Sequence, residues 1–281
     1  MNSNDDFPPL VSALWLRDHL DDVVVVDGSY YLASMGRDAD REFETRRIAG
    51  ATRWNIDVIA EPHASLKHMM PSADVVARAA GERGISNGST VIIYDQLGMF
   101  SAARVWLTFK LIGHQRVALL DGGLPAWEGP TESGEARQPD AVEYGVHHST
   151  DVTVGRDHVA QALSAKSGCI IDARAAGRFA GTAPEPVQGL RSGHMPGAIN
   201  LPFTDLLTSD NRFKSVGELK QVFADAGVDR STPIITSCGS GVTAAIVSFA
   251  LHLLETPSLV YDGSWSEWGQ PELNMPVTCE V

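Results

Sequence analysis

The sequence contains an internal repeat that spans nearly the whole chain. Four short patterns in the first half return in the same order in the second half, 141 to 147 residues later. The matching segments are 23–27 with 169–172, 48–51 with 195–198, 91–95 with 233–238, and 120–127 with 261–268. Chance similarity rarely keeps both order and spacing, so the chain is expected to form one fold twice. A length of 281 residues fits two domains of ordinary size.

Each copy alternates short β-branched runs with helical stretches. In the second copy the predicted strands are 169–172, 198–200, 233–237 and 258–261, and the predicted helices lie near 156–164, 215–227 and 241–254. Continuous apolar strands that alternate with helices indicate an α/β fold, in which a mainly parallel sheet has helices on both faces. We predict an N-terminal domain at 1–135, a linker at 136–150 that is rich in turn-forming and charged residues, and a C-terminal domain at 151–281.

Acidic residues outnumber basic ones, 35 to 22, and the net charge is −13. Without a basic run, such a chain is a poor candidate for binding nucleic acid or an anionic membrane. No apolar run approaches the ~20 residues that a membrane-spanning helix needs, and the acidic N-terminus does not resemble a signal peptide. Three cysteines cannot form an even set of disulfides, which favours a reducing compartment. We therefore expect a cytoplasmic protein with no nucleic-acid or membrane partner.

One cysteine lies in a glycine-rich turn between a predicted strand and a predicted helix. Cys238 opens the segment Cys-Gly-Ser-Gly-Val-Thr-Ala. Gly239 and Gly241 let the backbone turn sharply, so that its N–H groups converge at the start of the helix and form a site for an anion. These amides and the helix dipole favour a negative sulfur. Cys238 is therefore a candidate nucleophile, whereas Cys169 lies within a strand and Cys279 lies near the C-terminus.

Two other classes of protein carry a similar turn. The run that begins at Gly239 fits G-x-G-x-x-A, and Asp262 follows after another strand, which is formally a dinucleotide-binding pattern. Only 19 residues follow Asp262, too few for the remaining strands of such a domain. A cysteine phosphatase or an arsenate reductase needs an arginine that closes the anion loop, and Ala244 stands at that position. Both classes are therefore disfavoured.

The repeat, the single loop cysteine and two flanking motifs resemble the two-domain rhodanese-type sulfurtransferases. The motifs are Gly-His-Met-Pro-Gly-Ala at 193–198 and Asp-Gly-Ser-Trp-Ser-Glu-Trp at 262–268. The loop itself is similar to that of the 3-mercaptopyruvate sulfurtransferases, whereas thiosulfate-specific relatives carry basic residues in the two positions after the cysteine. A thiosulfate dianion is best held by cations, and Gly239 and Ser240 offer none. The resemblance implies tandem rhodanese-like domains and a keto-acid sulfur donor.

The resemblance also assigns roles to individual residues. Cys238 would take the sulfur as a persulfide. In these enzymes the loop serine is proposed to work with a histidine and an aspartate of the first domain, and the matching residues here are Ser240, His68 and Asp57. The other loop residues expected to surround the substrate are Gly239, Gly241, Val242 and Thr243.

Two arginines are predicted to bind the substrate carboxylate. Arg178, in a Gly-Arg-Phe segment, matches a family arginine that binds the carboxylate and the carbonyl of the substrate. A second family arginine follows a Glu-Pro pair, but here the pair at 185–186 leads to Val187. Arg191, four residues further on, is the nearest substitute. The first copy has Asp95 near the position of the cysteine, so that copy is expected to be non-catalytic.

The expected reaction is sulfur transfer through the Cys238 persulfide. The donor would be 3-mercaptopyruvate, pyruvate would leave, and the acceptor would be cyanide or a thiol, such as thioredoxin or a small thiol. Sulfur is the only group carried, so neither a metal nor an organic cofactor is expected, and the histidines form no H-E-x-x-H pattern. Two alternatives stay open: thiosulfate as the better donor, and a non-catalytic rhodanese-like binding module.

Overall fold

The computed structural model describes residues 7–146 and 150–280, which form two compact units. The first unit extends to Ala60, continues from Pro71 and includes Asp210–Arg212. The second contains Glu61–Met70, Asp151–Ser209 and the chain from Phe213 onward. Each unit therefore includes a short segment from the other half of the sequence, which a simple division at a linker does not anticipate. Residues 147–149 of the predicted linker lie outside the described residues.

The first unit contains a parallel sheet with helices packed on it. Its strands are β1 (Leu10–Val11), β2 (Val24–Asp27), β3 (Arg47–Ile48), β4 (Thr52–Arg53), β5 (Val91–Tyr94), β6 (Val117–Leu120) and β7 (Thr131–Glu132). Its helices are α1 (Ala13–Asp18), α2 (Ala39–Thr45), α3 (Ala73–Gly81) and α4 (Ala102–Leu111), with short 3-10 turns at Leu20–Asp22, Ala33–Met35 and Leu124–Ala126. Within the described residues, five strands form the sheet in the order β1-β6-β5-β2-β4, and β3 pairs with β7 separately.

The second unit repeats this architecture. Its strands are β8 (Thr153–Val154), β9 (Cys169–Asp172), β10 (Ile199–Asn200), β11 (Ile234–Ser237) and β12 (Leu259–Tyr261). Its helices are α5 (Arg156–Ala165), α6 (Ala176–Ala180), α7 (Val216–Asp225), α8 (Ala244–Leu253) and α9 (Ser264–Trp268), with 3-10 turns at Phe203–Leu206 and Pro271–Leu273. In the described part of this unit the sheet order is β8-β12-β11-β9-β10, all parallel.

The two sheets have the same topology, and the predicted α/β fold is confirmed. β2 lies beside β5 as β9 lies beside β11, and in both pairs the last residues are partners: Asp27 with Tyr94, and Asp172 with Ser237. The central strands β5 and β11 are buried along their whole length. Short β-branched runs suit strands that are covered on both faces, since every side chain then enters a core.

Helix α7 begins close to the start that the sequence predicts, whereas α8 begins at Ala244, three residues after its predicted start at 241. Ser215 and Glu218 form a capping box: the Glu218 N–H donates to the Ser215 hydroxyl at 3.3 Å, and the Ser215 N–H donates to the Glu218 carboxylate at 2.9 Å. Helix α8 is buried from Ala244 to Leu251, because it lies against the second sheet and other elements cover it. None of the helices in residues 7–146 and 150–280 is long and apolar enough to cross a membrane.

Parallel strands place the loops that follow them at one edge of the sheet. In the second unit, β9, β11 and β12 are adjacent, so the segments after Asp172, Ser237 and Tyr261 meet at this edge. Crevices beyond the carboxyl ends of parallel strands are the usual ligand sites of α/β folds. The loop that begins at Cys238 lies in the middle of this group.

Candidate active site

The Cys238 loop connects β11 to α8. Cys238 is buried, with 2% of its surface exposed, whereas Gly239, Ser240 and Thr243 are only partly buried. Gly241 has a φ of +76°, a conformation that a residue with a side chain rarely adopts. The Cys238 side chain is therefore set back from solvent, and the loop residues around it are partly exposed.

The backbone of this loop provides hydrogen-bond donors that the protein leaves unused. In the described part of the chain, none of the N–H groups of residues 239–243 donates to a protein acceptor. They precede α8, a helix of 10 residues whose positive dipole end adds to their effect. Converging free N–H groups at a helix start can bind an anion. The loop is thus suited to a negatively charged sulfur or to a charge that develops on a substrate.

The first copy shows what occupies such a loop when no cysteine is present. Asp95 follows β5 as Cys238 follows β11. One carboxylate oxygen of Asp95 accepts from three backbone N–H groups at 2.8 to 2.9 Å, and the other oxygen accepts from a fourth at 3.0 Å. The donors are Leu97, Phe100, Ser101 and Ala102. The amides of the first loop are therefore occupied by a carboxylate of the protein itself, which agrees with a non-catalytic copy.

The first turn of α9 holds the backbone of the Cys238 loop. The Cys238 N–H donates to the Ser264 hydroxyl at 3.1 Å, and the Trp265 N–H donates to the Cys238 carbonyl at 3.0 Å. Both the N–H and the hydroxyl of Ser266 donate to the Gly239 carbonyl, at 2.8 and 2.7 Å. These four hydrogen bonds fix the first two peptide planes of the loop, so that the following N–H groups keep a constant direction.

Arg178, on α6, lies against the loop. A Cβ atom built on Gly239 would lie 3.0 Å from the Nη2 atom of Arg178, so the arginine and the first loop residue are in close contact. The Nε and Nη2 atoms of Arg178 donate to the Glu185 carboxylate, at 3.2 and 2.5 Å. Glu185 therefore takes the side of the guanidinium that carries Nε. The adjacent edge, formed by Nη1–H and the second N–H of Nη2, keeps two parallel N–H groups, an arrangement that suits a carboxylate.

Glu185 is held in place by a buried ion-pair network. Its side chain is 2% exposed, and it also accepts from Arg174 at 2.7 Å. Arg174 pairs with Asp172 at 2.7 Å and stacks on the Trp265 ring, 4.2 Å from its centroid. Burial opposes the charge of Arg174, but the hydrogen bonds and charges of Asp172 and Glu185 raise its pKa above the ordinary value. The network keeps Arg178 oriented and balances its charge.

Arg191 has a different environment from the one that the sequence predicts. Its three guanidinium nitrogens donate to backbone carbonyls: Nη1 to Met275 at 2.7 Å, Nη2 to Trp268 at 2.8 Å and Nε to Gly269 at 3.4 Å. These bonds connect the segment after α9 to the rest of the unit. They favour a structural role for Arg191 and give no support to the predicted substrate contact. Val187, where the family arginine is missing, is 55% exposed.

The two remaining predicted residues belong to different units. His68 lies in Glu61–Met70, the segment that is part of the second unit, and it is buried with a φ of +61°. This segment is joined to the β12–α9 region by the Met70 N–H, which donates to Asp262 at 2.6 Å. Asp57 lies in the first unit, where it lines a small cavity with Arg37 and Arg53.

The other two cysteines differ from Cys238 in environment. Burial and the charge of Asp229 raise the pKa of the half-buried Cys169 thiol, which lies in β9. Cys279 is exposed, and its sulfur lies 3.5 Å from the Ser192 carbonyl oxygen. All three cysteines are free. Within the described residues, Cys238 alone lies at a turn of unused N–H groups.

Glu185, Ser264 and Ser266 were not predicted as site residues. Glu185 appears in the sequence only as part of the Glu-Pro pair, and no local pattern shows that it is buried against two arginines. Ser264 had a readable signal: the corresponding position of the first copy is Gly123. When the two repeats differ at a position, and only one repeat carries the cysteine, the residue of that repeat is a candidate for a role in its function.

Comparisons with known proteins identify the family of the chain. The model of the Rhodanese-like domain matches the chain twice, over residues 12–130 and 156–271. The 3-mercaptopyruvate sulfurtransferase of Rattus norvegicus is 41% identical over 281 residues, which cover 95% of this chain and 94% of that protein. The thiosulfate sulfurtransferase of Mus musculus is 37% identical over 271 residues, which cover 92% and 91%.

A solved structure extends the similarity to the fold. The crystal structure of SseA from Escherichia coli, a 3-mercaptopyruvate sulfotransferase, superimposes with a TM-score of 0.82 at 35% identity, covering 92% of this chain and 99% of that one. Both halves are matched, and the relatives align along almost the full length. The chain therefore belongs to the two-domain rhodanese-type sulfurtransferases.

Proposed function

We propose that this enzyme transfers the sulfur of 3-mercaptopyruvate through a persulfide on Cys238. The observation that carries the proposal is the pairing of two features at one sheet edge: the free N–H groups around Cys238, and the open edge of Arg178 beside Gly239. The first feature suits a sulfur anion and the second suits a carboxylate. 3-Mercaptopyruvate has both a sulfur atom to transfer and a carboxylate.

The charges of the site favour a keto acid over thiosulfate. Residues 239–243 carry no cation. Arg178 and Arg174 are matched by Asp172 and Glu185, so the buried network has two positive and two negative side chains. A single carboxylate can be bound by the open edge of one guanidinium, whereas a compact dianion needs more positive charge. The donor preference therefore follows from a site with little net charge.

The first step moves sulfur from carbon to sulfur. The Cys238 thiolate attacks the thiol sulfur of the donor, an S–S bond forms, and the C–S bond breaks. The bonding electrons go to the enolate of pyruvate, which takes up the proton that the former donor thiol releases and leaves as pyruvate. The negative charge that remains on the outer sulfur of the persulfide lies next to the N–H groups of residues 239–243, which stabilise it without rearrangement.

The second step returns the cysteine to its starting state. An acceptor thiolate attacks the outer sulfur, the S–S bond to Cys238 breaks, and the Cys238 thiolate leaves. Cyanide reacts in the same way and leaves as thiocyanate. Thioredoxin or a small thiol is the acceptor class that we propose. The partial exposure of Ser240 and Thr243 leaves the loop open for an acceptor.

The group of Ser240, His68 and Asp57 enters the proposal through the family resemblance. Ser240 follows Gly239 in the loop, and His68 belongs to the same unit as Cys238. We propose that the Ser240 hydroxyl polarises the donor carbonyl and that His68, which belongs to the same unit, orients this hydroxyl, whereas Asp57 enters the proposal through the resemblance alone. We also place the enzyme in the cytoplasm, a proposal supported by its three free cysteines.

Steady-state kinetics and intact mass test the proposal together. With cyanide as acceptor, kcat/KM is expected to be higher for 3-mercaptopyruvate than for thiosulfate. After incubation with the donor alone, the mass is expected to rise by one sulfur atom. This gain should be absent in Cys238→Ser and unchanged in the matched control Cys279→Ser. A thiosulfate preference would refute the donor, and the absence of any sulfur gain would favour a binding module.

A further inference from the structure

Ser264 has a backbone conformation that is unusual for its residue type. It is completely buried and has a φ of +48°. Residues with a Cβ atom rarely adopt positive φ, and glycine is the usual residue at such positions. A buried serine that keeps this conformation calls for a compensating interaction.

The hydroxyl of Ser264 provides this interaction at the nucleophile. It accepts the Cys238 N–H at 3.1 Å and donates to the Tyr261 carbonyl at 2.7 Å. The serine thus bridges the end of β12 to the residue that attacks the donor. Because Cys238 is 2% exposed, its N–H has no access to water as an alternative acceptor.

The first copy forms the corresponding turn without a hydroxyl. Gly123 stands at the position of Ser264, and its φ is +54°. The Leu124 N–H donates to the Asp95 carbonyl at 3.0 Å, as the Trp265 N–H donates to Cys238 at 3.0 Å. A Cβ atom on Gly123 would lie 2.4 Å from the backbone carbonyl oxygen of Asp95, so a serine does not fit there. The turn needs positive φ in both copies, and only the catalytic copy adds a hydroxyl.

We propose that Ser264 is a positioning residue for the nucleophile. It holds the Cys238 peptide so that the sulfur stays close to the free backbone N–H groups of residues 239–243. When the hydroxyl is removed, the buried Cys238 N–H loses its acceptor and the peptide rotates toward another one. The rate of attack by Cys238 then falls, whereas donor binding at Arg178 is unchanged. This inference deepens the proposed function, since it concerns the same cysteine.

Ser264→Gly is the decisive variant, because glycine relieves the positive φ and the first copy already uses it. We expect kcat to fall about tenfold, which is the change in rate that corresponds to the loss of one hydrogen bond, and KM to change less than twofold. The rate at which iodoacetamide labels Cys238, followed by peptide mass spectrometry, should fall by a similar factor. The melting temperature should stay within a few degrees of that of the unmodified protein.

Two further variants complete the test. Ser248→Ala removes another buried hydroxyl, that of a serine on α8 whose Oγ lies 2.9 Å from the Ser258 Oγ. This variant should leave both kcat and the rate of alkylation unchanged. Ser264→Ala keeps the strained φ and lacks the hydroxyl, so it should be both slower and less stable. An unchanged kcat in Ser264→Gly, or a rise in KM alone, would overturn the inference. Alkylation needs no sulfur donor, so it tests Ser264 even if the proposed donor is wrong.

Discussion

Replacing Arg178 with lysine separates charge from shape at the proposed carboxylate site. The guanidinium gives Nε–H and one Nη2–H to Glu185 and keeps the Nη1–Nη2 edge for the substrate. A lysine ammonium has the same charge, but its three N–H groups share one nitrogen. It cannot bind Glu185 and both oxygens of a substrate carboxylate in this geometry. The variant therefore loses one charge-assisted hydrogen bond to the donor.

The expected loss can be calculated from this count. One hydrogen bond to a charged group contributes about 1.5–3 kcal/mol, which corresponds to about a 10- to 150-fold decrease in kcat/KM. Most of the decrease should appear in KM, because the carboxylate keeps its charge throughout the reaction and contributes equally to binding of substrate and transition state. Glu185 keeps its second partner, Arg174, so we expect the variant to stay folded.

Arg191→Lys is the matched control. The same substitution there removes bonds to the carbonyls of Trp268 and Met275 and leaves the proposed carboxylate site intact. Carbonyl groups left without a hydrogen-bond donor should lower the stability by about 1–3 kcal/mol, and the melting temperature should therefore fall by several degrees. KM should change less than twofold. Steady-state kinetics with 3-mercaptopyruvate and a thermal melt distinguish the two variants. Equal effects on KM would show that the carboxylate is not bound as we propose.

Two further predictions concern the first unit. Asp95→Asn replaces a carboxylate that accepts four N–H groups with an amide that has one acceptor oxygen, so urea unfolding should show about 2 kcal/mol less stability, with unchanged kcat. An altered kcat with wild-type stability would contradict the non-catalytic role. Burial lowers the pKa of His114, whose ring nitrogens contact Tyr144 and Ser89. As the pH falls, His114 becomes protonated at pH ~6.5 in the unfolded chain, whereas in the folded chain it stays neutral to a lower pH. The free energy of unfolding should therefore decrease as the pH drops through this value. His114→Gln should remove this slope, and an unchanged slope would refute the assignment.

The fold was largely predictable because its signals are local and occur twice. Buried parallel strands need apolar β-branched runs, and the runs before Asp27 and Asp172 stand out in the sequence. The capping box at Ser215 marks a helix start by the same kind of short-range pattern. The inclusion of Glu61–Met70 in the second unit was not predictable, since it depends on contacts between residues far apart in sequence.

The two arginines show a feature of the site that the sequence does not contain. The sequence places both at the substrate carboxylate, Arg178 by its match to a family arginine and Arg191 as the nearest substitute for the one missing at Val187. The structure distinguishes them by their partners: a buried carboxylate leaves one edge of Arg178 open, whereas backbone carbonyls use all three nitrogens of Arg191. The directions of hydrogen bonds depend on side chains and carbonyls brought together by folding, and no spacing rule contains them.

The sequence by itself determined the duplication, the parallel α/β architecture and the choice of Cys238 as the candidate nucleophile. These follow from short-range physics: side-chain shape sets strands and helices, and glycines set the turn. Only the tertiary structure showed that Glu185 orients Arg178, that Asp95 fills the loop of the first copy, and that Ser264 holds the Cys238 amide. Each of these depends on which partner a buried polar group finds, and a buried group must find one within the folded chain.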